Sequence, residues 1–328
     1  MMTLDEFLAE WNSPDDRMLV HTSGSTGKPK PLWVEKHRME ASARITCHFL
    51  GLKAGDTALL CMPLDYIAGK MMVVRALTCG LRLSSVEPSS HPLASTSPRE
   101  PLTLVAMVPL QVWNTLQVPQ ERERLMQVKH LLIGGGAVSH ELETQLQPLP
   151  NAVWSTYGMT ETLSHIALRR LNGPERSDYY TPFEGIKVAL DNEGCLVIDA
   201  PAVHPGRLAT NDRAILAPDG RRFKIIGRKD NVVCSGGIKL QIEEIEEKLR
   251  SSITLPFIIS KRPDPLLGET VVLLVEGNDT EKWREACRKA LSKYEMPRHI
   301  VCVDRLPLTD TGKPARKQAE RLASKAQE

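Results

Sequence analysis

The chain has 328 residues, 41% hydrophobic and 25% charged, and 42 Lys and Arg against 40 Asp and Glu leave a net charge of +2. This is an ordinary globular mix, long enough for two domains, and its charge balance gives no reason to expect nucleic acid or a membrane as the main partner. The seven scattered cysteines form no C-x-x-C pair and the nine histidines no ligand cluster, which speaks against a disulfide framework or structural zinc and for reduced thiols in the cytoplasm.

The opening "MMTLDEFLAEW" lacks the basic start and apolar core of a signal peptide. It reads as a short amphipathic helix, with Thr3 and Glu6 as a capping box and Leu4, Phe7, Leu8 and Trp11 on one face. No later apolar run approaches the roughly 20 residues of a membrane span.

From residue 18 to about 165, strand and helix signals alternate. "RMLVH", "TALLCM", "LTLVAMV", "KHLLIGG" and "NAVWST" read as strands, and "RMEASARITCHFLGL", "IAGKMMVVRALTCG" and "SHELETQLQ" as helices. That alternation predicts an α/β domain with a mainly parallel sheet. Ligand loops in such sheets lie beyond the carboxyl ends of strands, so "HTSGSTGKPKP", "GGGAVS" and "STYGMTET" are expected on one rim. "SSHPLASTSPREP" (89–101) reads as a surface loop.

Between about 183 and 227, short strands with "DNEG" and "PDG" turns predict a small antiparallel β layer. After Gly227 come a charged "RKDN", a helix at "QIEEIEEKLRSS", strands at "LPFIIS" and "TVVLLVEG", a helix at "TEKWREACRKALSKY", a strand at "HIVCVD" and a basic tail. The expected domains are therefore 1–227 and a mobile α+β domain at 228–328, hinged near 228–231.

Five stretches carry polar residues that a fold alone does not require. In "HTSGSTGKPKP", Gly24 and Gly27 free backbone N–H groups for an anion, Ser23, Ser25 and Thr26 add hydroxyls, and Lys28 adds charge. It is not the common nucleotide loop, because Pro29 follows Lys28. "GGGAVS" is either a flat seat for a ligand or a helix entry capped by Ser139. "YGMTET" offers an aromatic ring, hydroxyls and, in Glu161, a hard oxygen for Mg²⁺, or else another helix start. Asp212 in "ATND" is a turn acid or a ribose acceptor. Lys313 in "LPLTDTGKPAR" is an exposed lysine or a catalytic one.

Taken in order, S-G-S-T-G-K-P-K, G-G-G, Y-G-M-T-E-T, T-N-D, G-R-K-D and P-x-T-x-x-G-K closely resemble the adenylate-forming superfamily of acyl-CoA synthetases, adenylation domains and luciferases, over about residues 18–320. The resemblance implies activation of a carboxylic acid by ATP to an acyl-adenylate, with Mg²⁺, then transfer to the thiol of coenzyme A. The chemistry agrees: a carboxylate is a poor nucleophile and the α-phosphate is shielded by anionic oxygens, so positive charge is needed at both.

By this resemblance Thr22, Ser23, Gly24, Ser25, Thr26, Gly27 and Lys28 hold the β- and γ-phosphates. Tyr157 stacks on adenine beside Gly134, Gly135 and Gly136, with Gly158 and Met159 in the same turn. Thr160 meets the α-phosphate, Glu161 holds Mg²⁺, and Asp212, helped by Arg228, binds the ribose hydroxyls. Lys313 bridges the attacking carboxylate and the α-phosphate, Asp230 matches the hinge, and Gly236 and Gly237 face the thiol.

The acyl side is expected around "MPLDYIAGKMMVVRAL". Tyr66 stands where relatives commonly carry His, and Lys70 and Arg75 interrupt an apolar helix, either snorkelling to solvent or meeting a second carboxylate. With Ser164 in "YGMTETLSHIALRRLNG", this pattern is similar to the o-succinylbenzoate–CoA ligases of menaquinone biosynthesis, whose substrate is an aromatic dicarboxylate. A ligase for another aryl or short acid or for a carrier-protein thiol, and a non-catalytic nucleotide binder, are the alternatives. Most superfamily members carry a long subdomain before the phosphate loop, whereas about twenty residues precede it here. A compact form is expected, with the oligomeric state open.

Overall fold

The computed structural model describes residues 2–21, 31–97, 101–309 and 314–325. Contacts divide the chain into two compact units. The first comprises 1–189, 197–208 and 216–224, and the second 190–196, 209–215 and 225–328.

In the first unit, helix Leu4–Trp11 opens with the expected capping box: the Thr3 hydroxyl accepts from Glu6 N and the Glu6 carboxylate accepts from Thr3 N. Its Phe7 is fully buried. A seven-stranded sheet follows, in the order Arg82–Ser85, Thr57–Leu60, Leu104–Met107, His130–Ile133, Ala152–Gly158, His165–Arg170, Thr181–Pro182. The first five strands run parallel, and each of the last two pairs antiparallel with the strand before it in that order. All four residues of Thr57–Leu60 are buried, as a strand covered on both faces requires.

One expectation is corrected. Strand Arg17–His21 pairs antiparallel with Pro31–Glu35 in a separate two-stranded ribbon. Met18 and Val20 find their burial on one face of that ribbon without joining the large sheet. The strand that ends at His21 is therefore no part of the parallel sheet, whereas the 134–139 and 157–162 segments do follow parallel strands.

Helix Ile67–Cys79 is buried all round from Gly69 to Ala76, including Lys70 and Arg75, which marks it as a core helix. It ends at Gly80, whose φ of 67° is the left-handed cap that glycine allows. Helices Pro109–Gln117 and Pro119–Met126 were not apparent from the apolar pattern, although each begins with a Pro at its first turn.

Strands Lys187–Leu190, Cys195–Asp199, Arg207–Leu216 and Phe223–Arg228 form a four-stranded sheet in chain order, the expected β layer, and the division between the units runs through it. In the second unit, Gly268–Glu276 pairs antiparallel with Phe257–Asp264 and parallel with His299–Val303. Val232–Ser235 and Ile238–Gln241 complete the sheet. Helices Ile242–Leu249 and Thr280–Ala290 bury Ile245, Leu249 and Trp283 in one core. Helix Arg316–Lys325, where the sequence suggested only a basic tail, buries Ala319 and Ala323 in another. Among the described residues no helix is long and apolar enough to cross a membrane.

His130 begins a central strand with both ring nitrogens buried and without partners among the described residues. Burial, then the charges of Lys129 and Arg170, push its pKa down to about 4. An unfolded histidine titrates near 6.5, so between these values the unfolded chain binds more protons. The neutral His130 contribution is complete above pH ~6.5 and is lost as pH falls toward ~4. His130→Phe is expected to flatten the fall of the urea midpoint between pH 7 and 5; an unchanged slope would assign that fall elsewhere.

Candidate active site

The carboxyl ends of strands His130–Ile133 and Ala152–Gly158 bring two of the predicted loops side by side. Gly134 donates to Met107 O at 3.0 Å, tying the loop to the next strand. A side chain at Gly134 would place its Cβ 2.6 Å from Thr156 Oγ1, so close packing demands glycine there. Gly135 adopts φ of 77° and Gly136 completes the turn. Ser139 caps helix His140–Leu146 by accepting from Leu142 N at 3.1 Å, so the segment serves both as helix entry and as an open backbone rim.

Strand Ala152–Gly158 then bulges at Tyr157/Gly158. The Tyr157 ring packs 5.0 Å from Phe223, edge to face, and 5.8 Å from Tyr180. Phe223 and Tyr180 are stacked at 5.6 Å, and the Tyr180 hydroxyl is 2.8 Å from Ser155 Oγ. Neither ring was singled out in the sequence, because both are distant from the motif and meet Tyr157 only through the Tyr180–Phe223 bridge.

Past Gly158 the chain makes one 3₁₀ turn, Thr160–Thr162, entered at Met159. Thr160 is buried and Glu161 exposed. Thr162, fully buried, accepts from Met159 N at 3.0 Å, and its one hydroxyl proton has the carbonyls of Ser164 at 2.8 Å and Met159 at 3.0 Å as acceptors. Leu163 has φ of 65°, the one non-glycine residue with positive φ among those described. This strained step turns Ser164 inward.

There Ser164 meets Arg75. The guanidinium, 2% exposed, donates through Nη2 to Ser164 Oγ, while its Nε is buried without a partner. Arg75 makes no ion pair among the described residues. Burial lowers its pKa to about 10, against the opposing influence of the Cys47 and Cys79 thiols. The neighbouring His165 ring reaches Ser164 Oγ and Thr46 Oγ1, each at 3.2 Å. Burial first, and then the charge of Arg75, hold its pKa well below the usual histidine value. His165 and Thr46 were missed in the sequence, although His165 adjoins the Y-G-M-T-E-T motif.

The other predicted acyl residues lie elsewhere. Lys70 is not brought to Arg75 and Ser164; five residues apart on a helix, the two lysine and arginine side chains point in different directions. Lys70 Nζ lies 3.9 Å from Glu10, 5.4 Å from the Phe7 ring centroid and 3.2 Å from Met2 Sδ, all on the opening segment. Burial lowers its pKa, opposed by Glu10 and Asp65. Tyr66 is the exposed N-cap of helix Ile67–Cys79.

In the second unit, Arg228 lies between two carboxylates, 2.9 Å from Asp212 and 2.9 Å from Asp230. Burial works to lower its pKa, but the Asp230 hydrogen bond and the Asp212 charge prevail and raise it. Asn211 Nδ2 also donates to Asp230 at 3.1 Å, so the predicted ribose acid, its helper and the hinge acid form one cluster. Gly236 and Gly237, with φ of 57° and 83°, form the two-residue turn between Val232–Ser235 and Ile238–Gln241 that only such a pair fits easily. Thr22 to Lys28 and Lys313 lie outside the described residues.

The residues suit Mg²⁺. Magnesium keeps several waters and takes one or two carboxylates together with substrate phosphates, so it requires no protein cage. Glu161 supplies one exposed hard-oxygen carboxylate, one residue after Thr160 in the chain, and among the described residues no cluster of three ligating side chains exists.

The AMP-binding enzyme family model matches residues 4–211, and that of the AMP-binding enzyme C-terminal domain matches 260–313. The chain belongs to the AMP-binding enzyme family. It is similar to the 2-succinylbenzoate–CoA ligase of Listeria monocytogenes, 24% identical over 98% of this chain and 73% of that one. Among solved structures it is similar to an acyl-CoA synthetase (AMP-forming)/AMP-acid ligase II-like protein of Dyadobacter fermentans, at 35% identity over 95% of this chain and 91% of that one, with a TM-score of 0.65. The fold also matches O-succinylbenzoate coenzyme A synthetase of Bacillus subtilis in complex with ATP and magnesium, with a TM-score of 0.77 at 21% identity over 92% of this chain and 69% of that one.

At Gly158 a Cβ would lie 2.3 Å from Ser164 O and 2.5 Å from His165 Cα. Gly158→Ala must push the 158–165 turn apart, at a cost of about 1–3 kcal/mol. A lowered melting temperature together with weakened AMP binding is the expected result; intact AMP affinity would separate the turn from the nucleotide site.

Proposed function

We propose that this protein is an ATP-dependent, AMP-forming acid–CoA ligase whose acid is 2-succinylbenzoate, acting in the cytoplasm in menaquinone biosynthesis. The observation that carries the choice of acid is Arg75: a guanidinium 2% exposed, with no counter-charge among the described residues and a buried, unpartnered Nε. An unpaired buried charge is costly, and a carboxylate supplied by the substrate offsets that cost. Aryl or short monocarboxylic acids have no group for it. The similarity to 2-succinylbenzoate–CoA ligases supports the same reading.

In the first half-reaction one carboxylate oxygen of the acid attacks the α-phosphorus of ATP, and the bond to pyrophosphate breaks. Thr22 to Lys28 orient the departing phosphates, the Thr160 hydroxyl meets the α-phosphate, and Lys313 offsets charge between the attacking oxygen and that phosphate. Glu161 would hold Mg²⁺, whose charge would offset that of the departing pyrophosphate. Tyr157 and Gly134 to Gly136 seat the adenine, and Asp212 accepts from the ribose hydroxyls with Arg228 fixing its orientation. In the second half-reaction the thiolate of coenzyme A attacks the acyl carbonyl and AMP leaves. We assign 1–227 to the nucleotide and acid sites and 228–328 to a mobile domain that carries Lys313 and the Gly236–Gly237 turn, with Asp230 at its hinge.

Pyrophosphate release with 2-succinylbenzoate, ATP and coenzyme A tests the reading, with other aryl acids as comparison. Arg75→Ala is expected to raise KM for 2-succinylbenzoate about tenfold or more; an unchanged KM removes Arg75 from the acid site. Lys313→Ala is expected to slow adenylation by about 100-fold or more, while thioester formation from supplied acyl-adenylate is largely retained. Equal loss in both steps would count against its assigned role.

A further inference from the structure

The hydrogen bonds around Arg75 have a direction that the geometry determines. Thr46 Oγ1 donates to Ser42 O, one turn back in helix Lys36–Phe49, at 3.1 Å. A hydroxyl has one proton, so toward His165 Nε2, 3.2 Å away, Thr46 only accepts. His165 therefore carries its proton on Nε2, and in the neutral ring Nδ1 is an acceptor. Ser164, 3.2 Å from Nδ1, donates to it. With its proton committed there, Ser164 Oγ presents only lone pairs to Arg75, whose Nη2 donates. Every link from Ser42 O to the guanidinium points the same way.

The ring is held on its other side as well. Phe183 stands edge to face with His165 at 5.6 Å. A protonated imidazole would reverse the chain, since Nδ1 would then donate and Ser164 would turn its hydrogen toward a cation. Burial and the charge of Arg75 both oppose that protonation.

We infer that His165 is a positioning residue that acts through Ser164 to aim Arg75, and that the Thr46–His165–Ser164 relay sets the preference for an acid with a second carboxylate. The inference rests on the reading that Arg75 takes that carboxylate. His165 touches neither the reacting carboxylate nor the phosphates in this scheme. Its effect falls on binding of the second carboxylate and not on the rate of adenylation.

The test measures kcat and KM for 2-succinylbenzoate and for two monocarboxylate analogues, each lacking one of its carboxylates. His165→Phe is expected to raise KM for the diacid about tenfold, the scale of misplacing one hydrogen bond to a charged group. It should leave kcat within about twofold and leave KM for the activated monocarboxylate unchanged. His165→Gln, which keeps an acceptor and a donor, is expected to restore most of the diacid preference. Equal damage to both acids, with a fall in kcat, would mark His165 as merely structural and overturn the inference, as would an unchanged diacid KM. Should His165→Phe not fold, Thr46→Val decides on the same criteria, because it removes the acceptor for Nε2–H. Arg75→Gln is run alongside. If it leaves the diacid preference intact, or the unaltered chain does not activate the diacid, the Arg75 reading itself fails and this inference with it. If it abolishes the preference while His165→Phe and Thr46→Val do not, only the relay is wrong.

Discussion

No side chain fits at Gly158, and the arrangement of the first unit's site depends on that constraint. Its backbone lies so close to Ser164 and His165 that a Cβ would fall within 2.5 Å of both. The strand bulges there, the following residues close one 3₁₀ turn, and Leu163 accepts a positive φ to bring the chain back antiparallel. The same crossing delivers Thr160 and Glu161 to one end of the strand and Ser164 to the buried Arg75. On the neighbouring strand, Gly134 makes a comparable close approach to Thr156. Two glycines of tight packing therefore align the loops, and conformational freedom is secondary at both.

Charge burial in this protein follows two patterns. Arg316 donates from Nη1 and Nη2 to the Glu246 carboxylate at 2.6 and 2.8 Å, and Lys70 has Glu10 at 3.9 Å. These cations are satisfied within the chain, and their role in structure is sufficient. Arg75 differs: it is the more deeply buried, yet among the described residues its one hydrogen-bond partner is a serine hydroxyl. A stability argument does not explain a charge kept in that state. On the proposed reading a ligand carboxylate would, and neutral hydrogen-bonding neighbours suit that reading, since an acidic side chain there would compete with the substrate.

The second unit holds a different kind of cluster. Arg228, the last residue of strand Phe223–Arg228, joins Asp212 within strand Arg207–Leu216 to Asp230 in the turn after its own strand, and Asn211 adds a further bond to Asp230. A single guanidinium thus couples the acid assigned to the ribose with the acid assigned to the hinge. Proposals for either residue should consider both, because interactions in such a network are not additive.

Much of the fold was legible from local signals. The capping box at Thr3 and Glu6, the apolar strands between residues 57 and 158, the hairpin turns of the β layer and the order of the motifs all depend on neighbours within a few residues. So did the choice of Arg75, as a charge in an apolar helix. The sequence by itself determined the family, the mainly parallel sheet and the residue types available for chemistry. Only the tertiary structure decided that strand Arg17–His21 belongs to a hairpin, that Lys70 turns to the opening helix, and that Tyr180 and Phe223 enclose Tyr157. It alone brought Thr46 to His165 across 119 positions. Strand partners, helix facing and hydrogen-bond direction arise from contacts between distant segments, and no local pattern encodes which of the available partners a side chain will meet.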